Sequence, residues 1–202
     1  MGSCCSVLEL RQYTLHPGQR DALIELFDRE FVESQEALGA HVVGQFRDLD
    51  RPDRFVWIRG FASMEARRTA LEGFYGGPVW AQHRDAANAT MIDFDDVHLL
   101  RPAVPGSGLA HGATRDLPTS DSVVRVSIWP VRPELDDDEV RQQSGAWFVT
   151  LDAENTFPAL PIHTGEPVLV AVTSGTQADP EIQDHPAPTR LRLAPTSRSQ
   201  LR

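Results

Sequence analysis

Tyr75, Trp80, His83, Arg84 and Asn88 crowd into one short stretch of the chain, and together they carry the side chains of a possible reaction site. His83 follows Trp80 by three residues, so on a helix the two share one side. A neutral imidazole in an aromatic-walled cavity can act as a general base, with Tyr75 beside it and Arg59 or Arg11 holding an anionic substrate. His83 and Tyr75 are therefore the catalytic candidates. Arg11, Tyr13, Trp57, Arg59, Trp80 and Asn88 are the candidate substrate contacts. The competing role for His83 and Asn88 is structural, satisfying backbone groups where a helix meets a strand. Glu9 and Arg11 share one face of a strand, where they either anchor a ligand or form a buried ion network; the network is the favoured reading.

Other chemistries find less support. His16, His41, His83, His98, His111, His163 and His185 are scattered, without HxxxH or HExxH spacing, and no metal is expected. Asp136-Asp137-Asp138-Glu139 reads as a solvated helix start, not a calcium loop. All 19 basic residues are Arg, which excludes lysine Schiff bases and lysine-dependent phosphate loops. No GxGxxG, GxSxG or CxxC motif occurs, and no cofactor is expected. Adjacent Cys4 and Cys5 suit neither a disulfide with each other nor a zinc site, and residues 1–6 read as a disordered, reduced tail. With 29 acidic residues and a net charge of −10, the chain lacks the positive field that nucleic acid or an anionic membrane requires.

The elements that must position these residues follow from periodicity. A strand over 7–15 ends at His16-Pro17-Gly18, and Leu23, Leu26, Phe27 and Phe31 mark an amphipathic helix over 18–38. Two short strands, 40–46 and 55–61, flank a hairpin loop at 48–53. Ser63 can cap a second helix, Gly76-Gly77-Pro78 breaks it, a helical turn runs over 79–87, and a strand covers 89–100. The order β-α-β-β-α-β is the split βαβ arrangement of a ferredoxin-like half, assigned to 7–101. Residues 102–121 read as a linker. Strands at 123–131, 146–151, 167–173 and 189–193, with one shortened helix over 134–142, make 122–202 a reduced second half.

Alternation places Trp57, Arg59, Phe55 and Phe61 on one face of their strand, and Val56 and Ile58 on the other. In the first strand Glu9, Arg11 and Tyr13 oppose Leu8 and Leu10. The expectation is that the aliphatic set faces the helices. The polar and aromatic set would then line a mixed-polarity barrel interior, where a small molecule could bind.

Several longer runs resemble the NIPSNAP family. They are Glu9-Leu10-Arg11-Gln12-Tyr13-Thr14-Leu15-His16-Pro17-Gly18, Val56-Trp57-Ile58-Arg59-Gly60-Phe61 with Arg67-Arg68, Phe74-Tyr75-Gly76-Gly77-Pro78-Val79-Trp80, and the stretch from His83 to Asp93. Glu154-Asn155-Thr156-Phe157-Pro158-Ala159-Leu160-Pro161 and Leu193-Ala194-Pro195-Thr196-Ser197-Arg198-Ser199 look like the family's C-terminal signatures. The chain departs from the pattern at Ile162-His163-Thr164, where a charged pair is usual. The resemblance implies α+β architecture, with two ferredoxin-like halves packed sheet to sheet as a dimeric α+β barrel. Animal members are associated with mitochondria, vesicle traffic and autophagy; bacterial members mostly lack an assigned activity.

These readings lead to a cytoplasmic protein that binds a partly apolar or anionic small molecule, in a homodimer or higher homo-oligomer. A cofactor-independent reaction using His83 is one form of that function. The alternative is a non-catalytic interaction or scaffold module that works through its surface.

Overall fold

The computed structural model describes residues 5–110, 115, 121–130, 137–182 and 186–202. Gly2, Cys4, His111, Asp136, His185, most of 111–120 and the start of the helix expected over 134–142 lie outside the described residues.

The first half runs β1 (Val7–Leu15), α1 (Arg20–Leu26), a π-helical turn (Phe27–Phe31), α2 (Val32–Glu36), β2 (His41–Asp48), β3 (Arg54–Phe61), α3 (Met64–Tyr75), α4 (Pro78–Asn88) and β4 (Met91–Pro102). Ser63 caps α3 by accepting from the Ala66 amide at 3.1 Å, and Pro78 opens α4. The second half runs β5 (Val124–Pro130), α5 (Asp137–Gln142), β6 (Ala146–Thr150), β7 (Val168–Ser174) and β8 (Thr189–Pro195). Among the described residues α5 is its only helix.

All eight strands close into one barrel in the order β1-β3-β2-β8-β5-β7-β6-β4. Each half contributes the same internal order, β4-β1-β3-β2 and β8-β5-β7-β6, and every pairing is antiparallel. The halves join through β2 with β8 and β4 with β6, so edge strands pair with each other within a single chain.

The barrel interior corrects the expected face assignment. Leu8, Leu10, Val56 and Ile58 point inward and pack with Val124, Val126, Phe148, Val170, Val172, Leu191 and Leu193 from the other half. Phe55, Trp57 and Tyr13 point outward, under the helices, with Phe27, Phe31 and Phe74. The physical reason is polar pairing. The charged residues of the outer face find partners on α2, α3 and the loop after β6, whereas the interior cluster that Leu8, Leu10, Val56 and Ile58 join is built of apolar residues. A packed apolar barrel therefore forms inside, and the cavity walled by Tyr13 and Tyr75 lies outside it.

Cys5 and Ser6, expected in a disordered tail, instead continue along β3. The Ser6 amide donates to the Phe61 carbonyl at 3.1 Å, and Cys5 is buried over Gly60. A Cβ at residue 60 would stand 2.3 Å from the Cys5 sulfur, so the missing side chain makes the space that Cys5 fills.

Candidate functional site

Glu9 sits in mid-strand on the outer face of β1, fully buried, and three arginines converge on it. Arg11 Nη1 and Arg59 Nε donate to one carboxylate oxygen at 2.8 and 2.7 Å, and Arg67 Nε donates to the other at 2.6 Å. Arg11 lies two residues along the same strand, and Arg59 stands directly opposite Glu9 on β3. Arg67 reaches down from α3. Burial works to raise the Glu9 pKa, but Arg59, Arg11 and Arg67 outweigh it and hold the carboxyl well below the usual carboxylate range. The next shell completes the network. Arg59 donates to Gln35 Oε1 at 2.8 Å, and Arg67 donates to Asn155 Oδ1 at 3.1 Å and Thr156 Oγ1 at 3.3 Å.

The count of charges leaves this buried cluster positive, with three guanidinium groups against one carboxylate. Among the described residues, the buried Nη2 atoms of Arg11, Arg59 and Arg67 have no hydrogen-bond partner. Trp57 lies against this charge, with the Arg59 guanidinium carbon 4.9 Å from its ring centre and that of Arg11 at 5.6 Å.

Arg11 also donates its Nε–H to the Tyr13 hydroxyl at 3.0 Å. Tyr13 thus accepts from the arginine and keeps its own proton for another acceptor. Burial raises its pKa against the pull of Arg11, so the phenol is protonated at neutral pH. Tyr13 forms part of the wall of a cavity of about 240 Å³ between the outer sheet face, α4 and the loop after β6. Tyr75, Trp80, Asn88, Phe94 and Phe157 line it as well. Tyr75 meets Trp80 edge-on at 4.9 Å and stacks on Phe157 at 5.6 Å. A smaller chamber of about 30 Å³ shares Tyr13, Tyr75 and Trp80 and extends toward Gln35 and Trp57. The π-helical turn sets Phe27 and Phe31 into its wall.

Of the residues singled out in the sequence, Tyr13, Tyr75, Trp80 and Asn88 meet at the larger cavity. Trp57 lines the inner chamber, and Arg11 and Arg59 lie beside it in the Glu9 network. His83 is not a lining residue of either chamber. Its Nε2 stands 3.6 Å from a Glu30 oxygen, and its ring meets Phe31 edge-on. Arg84 pairs with Asp85 on the exposed side of α4.

The structure adds residues that periodicity did not mark. Between the pairs Gln12–Asp96 and Thr14–Asp93 a bulge sets Phe94 and Asp95 of β4 against Tyr13 alone, which turns Phe94 toward the Tyr13 ring. Ala159 and Leu160 reach the cavity because Asn155 folds the loop after β6. Asn155 accepts from the Phe157 amide at 3.1 Å and donates to the Leu160 carbonyl at 2.9 Å. The Asn155-Thr156-Phe157-Pro158 run, within a stretch that resembles a C-terminal signature of the NIPSNAP family, was the available signal.

Comparison with known proteins fits this architecture. A protein provisionally named a monooxygenase from Lactobacillus acidophilus NCFM superposes with a TM-score of 0.60 at 14% identity, covering 96% of both chains. Another with that provisional name, from Fusobacterium nucleatum subsp. nucleatum ATCC 25586, gives 0.58 at 7% identity, covering 94% of this chain and 91% of that one. At these identities the likeness is one of fold. A NIPSNAP family protein of Agrobacterium tumefaciens str. C58 is 22% identical over 49% of this chain and 89% of its own, with a TM-score of 0.45. No curated protein matches the sequence. Residues 8–105 match the NIPSNAP family profile, and they contain the whole of the Glu9–Arg11–Arg59–Arg67 cluster and most of the cavity wall. Over residues 8–105 the chain thus resembles a NIPSNAP family domain.

Proposed function

We propose that this protein binds a compact aromatic or otherwise apolar small molecule with an acidic or oxyanionic head in the cavity outside the barrel. The observation that carries this reading is the presence of apolar rings and a polarised phenol in one cavity wall. Trp80, Phe94 and Phe157 supply apolar surface, and the Tyr13 hydroxyl, held by Arg11, supplies a hydrogen-bond donor. Behind Tyr13 stands a buried cluster with excess positive charge and three guanidinium nitrogens that have no partner among the described residues. An anionic head beside Tyr13 would gain from that field in a setting where charge is poorly screened.

Size narrows the class. A cavity of about 240 Å³ falls below the roughly 300 Å³ at which drug-sized ligands begin to fit, so one ring with a short polar substituent is the scale. Binding in this pose would place the ligand's oxygen against the Tyr13 and Tyr75 hydroxyls, the only two phenols in the chain. Any proton transfer to such a ligand would then run through these groups.

Trp80 supplies the readout. Benzoate and benzyl alcohol, matched in ring and differing in head charge, are titrated against the protein while its tryptophan fluorescence is followed. Benzoate is expected to bind more tightly, with the difference removed in Tyr13→Phe. Equal binding of the two compounds would remove the anionic head from the reading. Calorimetric binding unaffected by Trp80→Ala would remove the cavity itself.

A further inference from the structure

On the opposite side of β4 from the cavity, Asp96, His98 and His163 bring three potential ligand atoms within 4.8 Å of one another. Asp96 and His98 are two residues apart on β4, so their side chains share one face. That face is the inward one, since Asp96 pairs with Gln12 and His98 with Leu10, and Leu10 belongs to the barrel interior. His163 arrives from a position 67 residues beyond Asp96 in the chain. β6 pairs with β4 only over Leu100–Pro102. Beyond that, the Leu151 amide donates to the Leu99 carbonyl and the His163 amide to the Val97 carbonyl, both at 2.8 Å. The chain after β6 therefore extends the sheet and fixes His163 beside His98.

The geometry is unusual for a pair of histidines that only fill space. Their rings stack at 4.4 Å with an interplanar angle of 25°. Both Nε2 atoms approach the same oxygen, Oδ1 of Asp96, His163 at 2.9 Å and His98 at 4.0 Å. Only the first is a hydrogen bond. Around a tetrahedral ion with bonds of about 2.0–2.1 Å, ligand atoms sit about 3.3 Å apart, a value bracketed by these two distances. Gln12 Nε2 donates to the same Asp96 oxygen at 3.0 Å, and Arg54 donates to Gln12 Oε1 at 2.9 Å. The carboxylate is thus oriented by a hydrogen-bonded chain of the kind that supports metal ligands.

We propose that Asp96, His98 and His163 form a binding site for a divalent transition-metal ion of the zinc type, positioned by Gln12. Two imidazoles and one carboxylate are the donor set that borderline ions such as Zn²⁺ and Co²⁺ accept. Three protein ligands leave at least one coordination position for solvent or a substrate atom, and the half-exposed His163 places that position at the surface. The site shares no lining residue with the Tyr13 cavity, so it stands or falls apart from the proposed small-molecule function.

The test is zinc titration of the metal-stripped full chain by calorimetry, alongside the Co²⁺ absorption spectrum. One zinc per chain is expected, with affinity reduced at least about tenfold in His163→Ala and in Asp96→Asn. Co²⁺ should give the visible bands of nitrogen and oxygen ligation without the near-ultraviolet band of a thiolate, which separates this site from Cys4 and Cys5. The spectrum of the unmutated chain decides the matter even if a variant folds poorly. Absence of stoichiometric zinc, zinc binding unchanged in folded His163→Ala, or a cobalt–thiolate band would each overturn the proposal.

Discussion

Arg67 and Glu9 lie 58 residues apart in the chain and meet at 2.6 Å, joining α3 to the outer face of the sheet through a fully buried ion pair. The same carboxylate is shared with Arg11 and Arg59, so one negative charge stabilises three positive ones. Removing it would leave three desolvated guanidinium groups with no counter-charge. Glu9→Gln is expected to destabilise the fold by about 3–5 kcal/mol, read from the urea midpoint. A loss below about 1 kcal/mol would mean that solvent or an anion reaches the cluster and compensates it.

The same pairing sets a pH dependence. Because the folded-state pKa of Glu9 is depressed, the unfolded chain binds the extra proton first, and stability rises with pH. The contribution of Glu9 is fully present above its ordinary value of 4.5 and is lost as pH falls below it. Asp28 acts with the opposite sign: burial raises its pKa, so its contribution is present at low pH and lost as pH rises. Urea midpoints measured from about pH 7 to about pH 3 should fall more steeply in the parent chain than in Glu9→Gln. Parallel slopes would show that Glu9 titrates normally.

Tyr13→Phe separates binding from stability. The substitution removes the acceptor for Arg11 Nε, leaving a buried charged donor unsatisfied at a cost of about 1–3 kcal/mol. It also removes the donor offered to a ligand head. Tyr75 is not the acceptor of that Arg11 bond, so Tyr75→Phe leaves it intact and its thermal midpoint should stay closer to that of the parent. If both variants lose stability equally, the Arg11–Tyr13 bond is not what holds the cavity floor.

Inside the barrel the tolerance is steric. A Cβ on Gly44 would stand 2.4 Å from the Phe46 ring and 2.9 Å from the Ser199 hydroxyl, both fully buried. The backbone there lies at a register shift between β2 and β3. Gly44→Ala should cost about 1–3 kcal/mol through overpacking, visible as a lower melting temperature. An unchanged melting temperature would show that the C-terminal segment carrying Ser199 can move aside.

Much of this arrangement was legible from period and punctuation. Ser63 and Gly76-Gly77-Pro78 mark the ends of α3, and the eight strands follow alternating or continuous apolar runs. Alternation also showed that Glu9, Arg11, Tyr13, Trp57 and Arg59 share one side of the sheet. It could not show which side the helices cover, because period two relates residues within a strand and carries no information about the next layer. The partners that decide the matter, Gln35, Arg67 and Asn155, lie on three other segments. The cluster of Asp96, His98 and His163 leaves no short histidine spacing in the sequence for a related reason. Its third member enters through a strand-like extension, not through the same helix or loop.

His83 gives the sharpest test of where chemistry resides. Its residue type and its place beside Trp80 suggested an acid or base in a cavity, yet its imidazole faces Glu30 and Phe31 instead. A His–Glu contact of 3.6 Å between partly exposed side chains contributes at most about 1 kcal/mol. His83→Ala is therefore expected to leave benzoate affinity within about twofold and to lower stability by less than about 1 kcal/mol. Asn88, at the end of the same helix, lines the cavity itself, so Asn88→Ala alters the wall directly and should change affinity more than His83→Ala does. The reverse ranking would place His83 in the binding machinery and require α4 to rotate its inner face when a ligand enters.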